Sequence, residues 1–150
     1  GKYVYQPGIL YRMAEAYLGY AEALNESSPA PTPDVYKYVN LIRERAGIPA
    51  LKEGLSKEEM RAAIQQERRV EFNCEGIRFH DLRRWKIADK YLGGKLYGMN
   101  HEKSDDVNNP KAFYKRTYYK SRTFNKRMYL WPVPQAQMDI NPNLRQAPGY

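Results

Sequence analysis

The chain has 150 residues, enough for one domain with a modest core. Apolar residues make up 42%, a globular share, while 28% charged residues and a mean hydropathy of −0.83 leave a very polar remainder. The net charge of +8 asks for an anionic partner, no run is long and apolar enough to cross a bilayer, no basic-then-apolar leader opens the chain, and a lone Cys74 excludes an internal disulfide.

Residues 9–26 read as a first helix. Leu10, Met13, Ala14, Tyr17, Ala21 and Leu24 recur at helical spacing, with charged residues on the other side. Ala16, Tyr20 and Ala23 also stand at the small–aromatic–small spacing of a tetratricopeptide helix, which suggests stacked helix pairs and further repeats upstream. After a Ser/Pro loop, Thr32 is placed to cap a second helix with Pro33 at its first position and Val35, Val39, Ile42 and Ala46 as its buried stripe. Gly47 and Pro49 stop it. A third helix opens on the strongest start signal in the chain, a capping box of Ser56 and Glu59 with Leu55 and Met60 as a hydrophobic staple, and runs to about residue 73.

A fourth helical stretch is expected over residues 77–92, and Cys74, inside this helical pattern, is expected to be a buried thiol. Past Gly94 the helical period is lost. Residues 100–110 read as a polar loop, 112–124 as a strand or hairpin rich in Tyr, Thr and Phe, and 128–130 as a short strand. Trp131 to Pro134 must be extended, and 141–150 form an ordered or semi-ordered arm. Trp131 is expected buried against its flanking prolines and Trp85 buried at the end of the charged stripe of residues 64–85.

The segment 64–85 carries the densest pattern. On a continuous helix Ile64, Arg68, Glu71, Glu75, Arg78, Leu82 and Trp85 would share one face, apolar at its ends and alternately charged in its middle. We read it as a partly buried network in which Arg68 and Arg78 neutralise Glu71 and Glu75. Asp81 and Arg84 belong to the same block. A retaining glycosidase would need two carboxylates about 5–5.5 Å apart, one of them kept neutral, and neighbouring arginines push both toward ionisation. The same guanidinium groups compete with any metal for Glu71, Glu75 and His80. Neither a phosphate-binding Gly-rich loop nor a nucleophile elbow is present, so no catalytic residue, metal or cofactor is assigned.

Residues 103–127 hold eight Lys/Arg against Asp105 and Asp106, interleaved with Phe113, Tyr114, Tyr118, Tyr119 and Phe124. Cations among aromatics suit a single-stranded nucleic acid, the face of a pyranose or an acidic protein rim, and equally a solvated strand pair with its rings turned inward. Tyr114, Tyr118 and Tyr119 are the ligand-binding candidates.

Four blocks together carry a family resemblance. They are residues 10–24, the run 39–49 (VNLIRERAGIP), the set Glu67-Arg68, Glu71, Glu75-Gly76, Arg78 and Asp81-Leu82-Arg83-Arg84-Trp85, and the ending Leu130-Trp131-Pro132-Val133-Pro134, Asn141-Pro142 and Pro148-Gly149-Tyr150. In this order they resemble the C-terminal region of SusD/RagB proteins, with Val133 and Ala147 as departures; Ala147 stands where a polar Asn is expected. The resemblance implies a mainly α fold, an α-α superhelix of tetratricopeptide-like helix pairs with long irregular loops and a small β-hairpin. On this reading residues 1–150 are the C-terminal domain of a longer protein whose N-terminal repeats and lipid anchor lie elsewhere. It further implies a non-catalytic subunit at the outer leaflet of the outer membrane that binds an oligosaccharide or other nutrient. Its partner would be a SusC-like TonB-dependent β-barrel transporter, and no nucleic acid is expected. The alternative is a basic repeat module that binds nucleic acid or an acidic protein.

Overall fold

The computed structural model describes residues 8–99 and 115–150. Two compact units divide the chain, Gly1–Arg78 and Phe79–Tyr150. Mainly helical elements are joined by irregular segments, with one two-stranded hairpin.

In the first unit α1 (Met13–Ser27) packs on both α2 (Pro33–Arg45) and α3 (Lys57–Glu71). The face that α1 buries runs through Ala14, Leu18, Ala21 and Asn25, alternating steps of four and three. That face is turned relative to the sequence expectation. Leu18 is fully buried, whereas Met13 is 63% exposed and Leu10, which precedes the helix, is 86% exposed. Ala16, Tyr20 and Ala23 lie on the solvent side of this unit.

Pro33 opens α2, but the Thr32 side chain does not cap it; the Thr32 carbonyl accepts from Val35 N–H instead. The helix buries Val35, Val39 and Ile42, and Ala46 stays exposed. It ends in a Schellman motif: Ile48 N–H donates to Arg43 O at 3.0 Å, Gly47 N–H to Glu44 O at 2.9 Å, and Gly47 has φ +70°. The predicted box starts α3, with Ser56 Oγ accepting from Glu59 N–H and the Glu59 carboxylate accepting from Ser56 N–H. Leu18, Val35, Val39, Met60, Ile64 and Phe72 fill the core these helices share. Buried Asn25 donates to Lys57 O, and Lys57 Nζ donates back to the carbonyls of Glu26 and Ser28, so the end of α1 is tied to the start of α3.

The helix does not continue past Gly76. Cys74 (φ +66°) and Gly76 (φ +77°) both adopt the left-handed conformation and turn the chain between α3 and α4 (Ile77–Arg84). Cys74 is therefore exposed on a turn rather than buried in a helix. A second break divides the expected 77–92 helix. Ile87 N–H donates to Leu82 O and Lys86 N–H to Arg83 O, with Lys86 at φ +54°, so α4 closes in its own Schellman turn before α5 (Ala88–Leu92).

In the second unit Leu82 and Ala88 are the buried apolar residues among those described. Gly93 and Gly94 lead into β1 (Gly94–Met99), which pairs antiparallel with β2 (Arg116–Arg122). The expected strand over 112–124 is thus observed from Arg116, and its partner is a segment the sequence reading left unassigned. Tyr119 is the extra residue of a bulge opposite Leu96 and Tyr97. Residues 128–130 are not a strand: Lys126–Tyr129 form a 3₁₀ turn, closed by an edge-to-face contact of Phe124 and Tyr129 at 4.9 Å. Trp131 to Pro134 carry no helix or strand, and a six-residue helix, α6 (Gln135–Ile140), follows Pro134. The terminal arm returns to this stretch. The Gln146 side-chain amide accepts from Val133 N–H and donates to Val133 O, and Tyr150 Oη donates to Leu130 O. Gln146 also caps Ala147 N–H, so the arm is fastened one residue before the position where an Asn was expected.

Candidate functional site

Chemistry-bearing side chains form one group within each unit. In the first unit, Glu71 and Glu75 are gathered by Arg12, the residue at which the extended chain (φ −140°, ψ 156°) enters α1. Arg12 pairs with the Glu71 carboxylate, donates to Glu71 O at 2.7 Å, and reaches both oxygens of Glu75 at 2.7 and 3.0 Å. Arg45, at the end of α2, takes both oxygens of Glu71 at 2.5 Å. Arg43 pairs with nearly buried Glu67 and donates to Pro49 O. Arg68, itself buried, lies 3.9 Å from Glu22.

Glu71 and Glu75 are thus met by Arg12 at the entrance to α1 and Glu71 also by Arg45 at the end of α2, from elements other than their own. The left-handed turn at 74–76 interrupts the continuous helix that the sequence pattern assumed for this stripe. Arg78 is half-buried. Asp81, Arg84 and Trp85 fall in the other unit, where buried Asp81 accepts from Arg84 Nε at 2.8 Å and the Arg84 guanidinium stacks 4.7 Å from the Trp85 ring, itself half-buried. Arg12, Arg43 and Arg45 are the members that sequence reading missed, because their partners lie on different elements. Only the local spacing on one helix was visible to it.

Hydrogen bonds from Arg12 hold the Glu75 carboxyl below the usual carboxylate range and raise the Arg12 guanidinium further above its own. A general acid at neutral pH needs the opposite shift. Glu75 is built to stay ionised. Among the described residues no three His, Cys, Asp or Glu side chains converge to hold a metal. His80 is exposed beside Phe79, and His101 lies outside the described residues.

In the second unit the hairpin presents the aromatic candidates. Tyr118 is 57% and Tyr119 77% exposed, so neither ring is turned inward. Tyr114 lies outside the described residues. The register sets Tyr118 opposite Tyr97, a residue not singled out from sequence; their rings meet edge-to-face at 6.4 Å, and the Arg116 guanidinium lies 4.0 Å from the centre of the Tyr97 ring. Lys95, Leu96, Tyr97, Gly98, Met99 and Arg116 line a shallow groove of about 480 Å³. A second exposed aromatic group involves Trp131. It is 73% exposed rather than packed on its prolines, and Phe79 lies 6.1 Å away under the Arg83 guanidinium.

Comparison with known proteins places these features in context. The family model of the SusD family matches residues 1–150. SusD-like protein P2 of Formosa agariphila is 33% identical over 147 residues, covering 93% of this chain and 25% of its own length. A SusD-like protein of Bacteroides fragilis superposes with a TM-score of 0.77 at 38% identity, over 91% of this chain and 25% of that one. A SusD-like carbohydrate binding protein of the same organism gives 0.74 at 35%, over 91% and 28%. The chain thus spans about a quarter of the length of these relatives. With the family matched along every residue and the same fold in solved relatives, the chain belongs to the SusD family.

Proposed function

We propose that this chain is part of a non-catalytic glycan-binding subunit of a SusCD-type uptake system, lipid-anchored at the outer leaflet of the outer membrane and working with a TonB-dependent β-barrel transporter. The observation that carries this reading is membership of the SusD family along the whole chain. A solved relative named as a carbohydrate binding protein supports the ligand class. The hairpin supports it locally: Tyr97, Tyr118 and Tyr119 expose flat faces whose C–H-rich counterparts are the faces of sugar rings. No helix among the described residues is long and apolar enough to cross a membrane, which is consistent with attachment by a lipid.

Binding without bond cleavage also fits Glu71 and Glu75. Both are held by guanidinium groups, and the Arg12 hydrogen bonds keep Glu75 below the usual carboxylate range, away from the role of a proton donor. The test is titration with a panel of oligosaccharides while new reducing ends are measured. Saturable binding with no release of reducing ends is expected. Turnover that disappears in a folded Glu75→Gln variant would establish a hydrolase instead, and failure of every oligosaccharide to bind would remove the ligand class.

A further inference from the structure

The charge of +8 is not spread along the chain. Gly1–Arg78 holds eleven Lys/Arg and eleven Asp/Glu, whereas Phe79–Tyr150 holds fourteen against six, so the whole surplus belongs to the second unit. Within it, residues 93–99 and 115–127 contain seven Lys/Arg and no Asp or Glu. Solubility alone is served by interspersed signs, and a single-sign field adds self-repulsion. A concentration of this kind marks a surface for an anion.

The hairpin register shows where that anion fits. Alternation puts Lys95, Tyr97 and Met99 on one face of β1, opposite Ser121, Tyr118 and Arg116 of β2. All of these side chains are exposed. The Arg116 guanidinium lies over the Tyr97 ring, 4.0 Å from its centre, a contact that restricts it and pre-orients its fork of donors for a planar or tetrahedral anion. Tyr118 Oη and Ser121 Oγ lie 3.1 Å apart on the same face, a hydroxyl pair able to donate to and accept from sugar hydroxyls.

From this juxtaposition we infer that the β1–β2 hairpin binds an acidic glycan, one bearing carboxylate or sulfate groups, with one anionic group on Arg116, another toward Lys95 at the other end of the face, and a sugar ring between them against Tyr97 and Tyr118. This rests on the glycan-binding reading above and narrows it to a charged class. A single-stranded nucleic acid would also offer anions and flat rings. It prefers successive parallel stacking platforms along a track, and here the two rings stand edge-to-face at 82°.

Matched pairs test the inference. De-esterified and fully methyl-esterified homogalacturonan, dextran sulfate and dextran, and κ-carrageenan and its desulfated form each share a backbone and differ in charge. They are titrated at low and physiological ionic strength, beside an oligothymidylate of equal charge. The charged member of at least one pair is expected to bind about tenfold or more tightly than its neutral partner, and to weaken about tenfold in Arg116→Ala. Lys95→Ala should weaken it less, and the neutral partner should not respond to either change. Arg116 is exposed, so the variant retains its fold, checked by circular dichroism. Equal binding of charged and neutral members, charged binding indifferent to Arg116→Ala, or preference for the oligothymidylate would overturn the inference. Neutral glycans bound without charge preference would leave the glycan-binding reading standing. No binding of any pair would remove both.

Discussion

Phe72 ends α3 with two guanidinium groups over its ring, Arg12 at 4.8 Å and Arg68 at 5.1 Å from the centroid. This buried ring and the Arg12 pairs with Glu71 and Glu75 hold the chain entering α1 against the turn that leaves α3. Exposed pairs contribute about 0–1 kcal/mol, and removing one member of a buried set costs about 3–5 kcal/mol. Arg12 lies between these limits, a quarter exposed and facing a nearly buried Glu71 that keeps Arg45. We therefore expect Arg12→Ala to destabilise by about 1–3 kcal/mol in urea unfolding, with Arg12→Lys in between because it loses the fork. Unchanged stability would show the clamp to be ornamental.

Acid should weaken the same contacts. The folded-state pKa of Glu75 lies below its ordinary value of 4.5 because Arg12 donates to it, and that of Glu26 is lowered by Arg61. A depressed carboxylate contributes stability fully above the unfolded value and loses it as pH falls through the folded one. Stability should thus be level above about pH 4.5 and decline below it, less steeply in Glu75→Gln. Urea midpoints measured across that range check the slope. A decline beginning near neutrality, or an identical slope in the variant, would contradict the assignment.

Among the elements, local chemistry wrote the boundaries it controls. The Ser56–Glu59 box, Pro33 at the start of α2 and Gly47 at its end were legible because each satisfies particular backbone groups within a few residues. The breaks at Cys74 and Lys86 were not legible, since both residues favour helix or core over a left-handed turn and only the fold holds them there. The six-residue α6 buries nothing and so leaves no periodic trace. Lys86 invites a direct experiment. A non-glycine residue in this conformation costs about 1 kcal/mol or more, so Lys86→Gly should be neutral to stabilising, by up to about 1 kcal/mol, while a β-branched Lys86→Val should destabilise. Thermal unfolding of the two variants should move in opposite directions. A loss on Lys86→Gly would mean that the side chain matters more than the backbone.

Across the whole molecule, the buried apolar core of the described residues lies mainly in the first unit, and the surplus positive charge lies in the second. Family membership was readable from four motifs in order, and those motifs are mostly structural: capping, ion pairs and the returning arm. The aromatic face was only half readable. Tyr118 and Tyr119 stood out by composition, whereas Tyr97 and Lys95 enter through a strand pairing more than a dozen residues away in sequence, which no local pattern encodes. The proposed division of labour is between a clamped helical first unit and a glycan-binding hairpin in the second.

Paired measurement of unfolding midpoint and glycan affinity on Arg12→Ala and on the double variant Tyr97→Ala/Tyr118→Ala tests that division most directly. A crossed result is expected: Arg12→Ala lowers the midpoint and leaves the affinity of the folded protein unchanged, while the tyrosine variant keeps the midpoint and loses affinity about tenfold or more. A folded tyrosine variant that binds as tightly as the parent, or a folded Arg12→Ala variant that no longer binds, would contradict it.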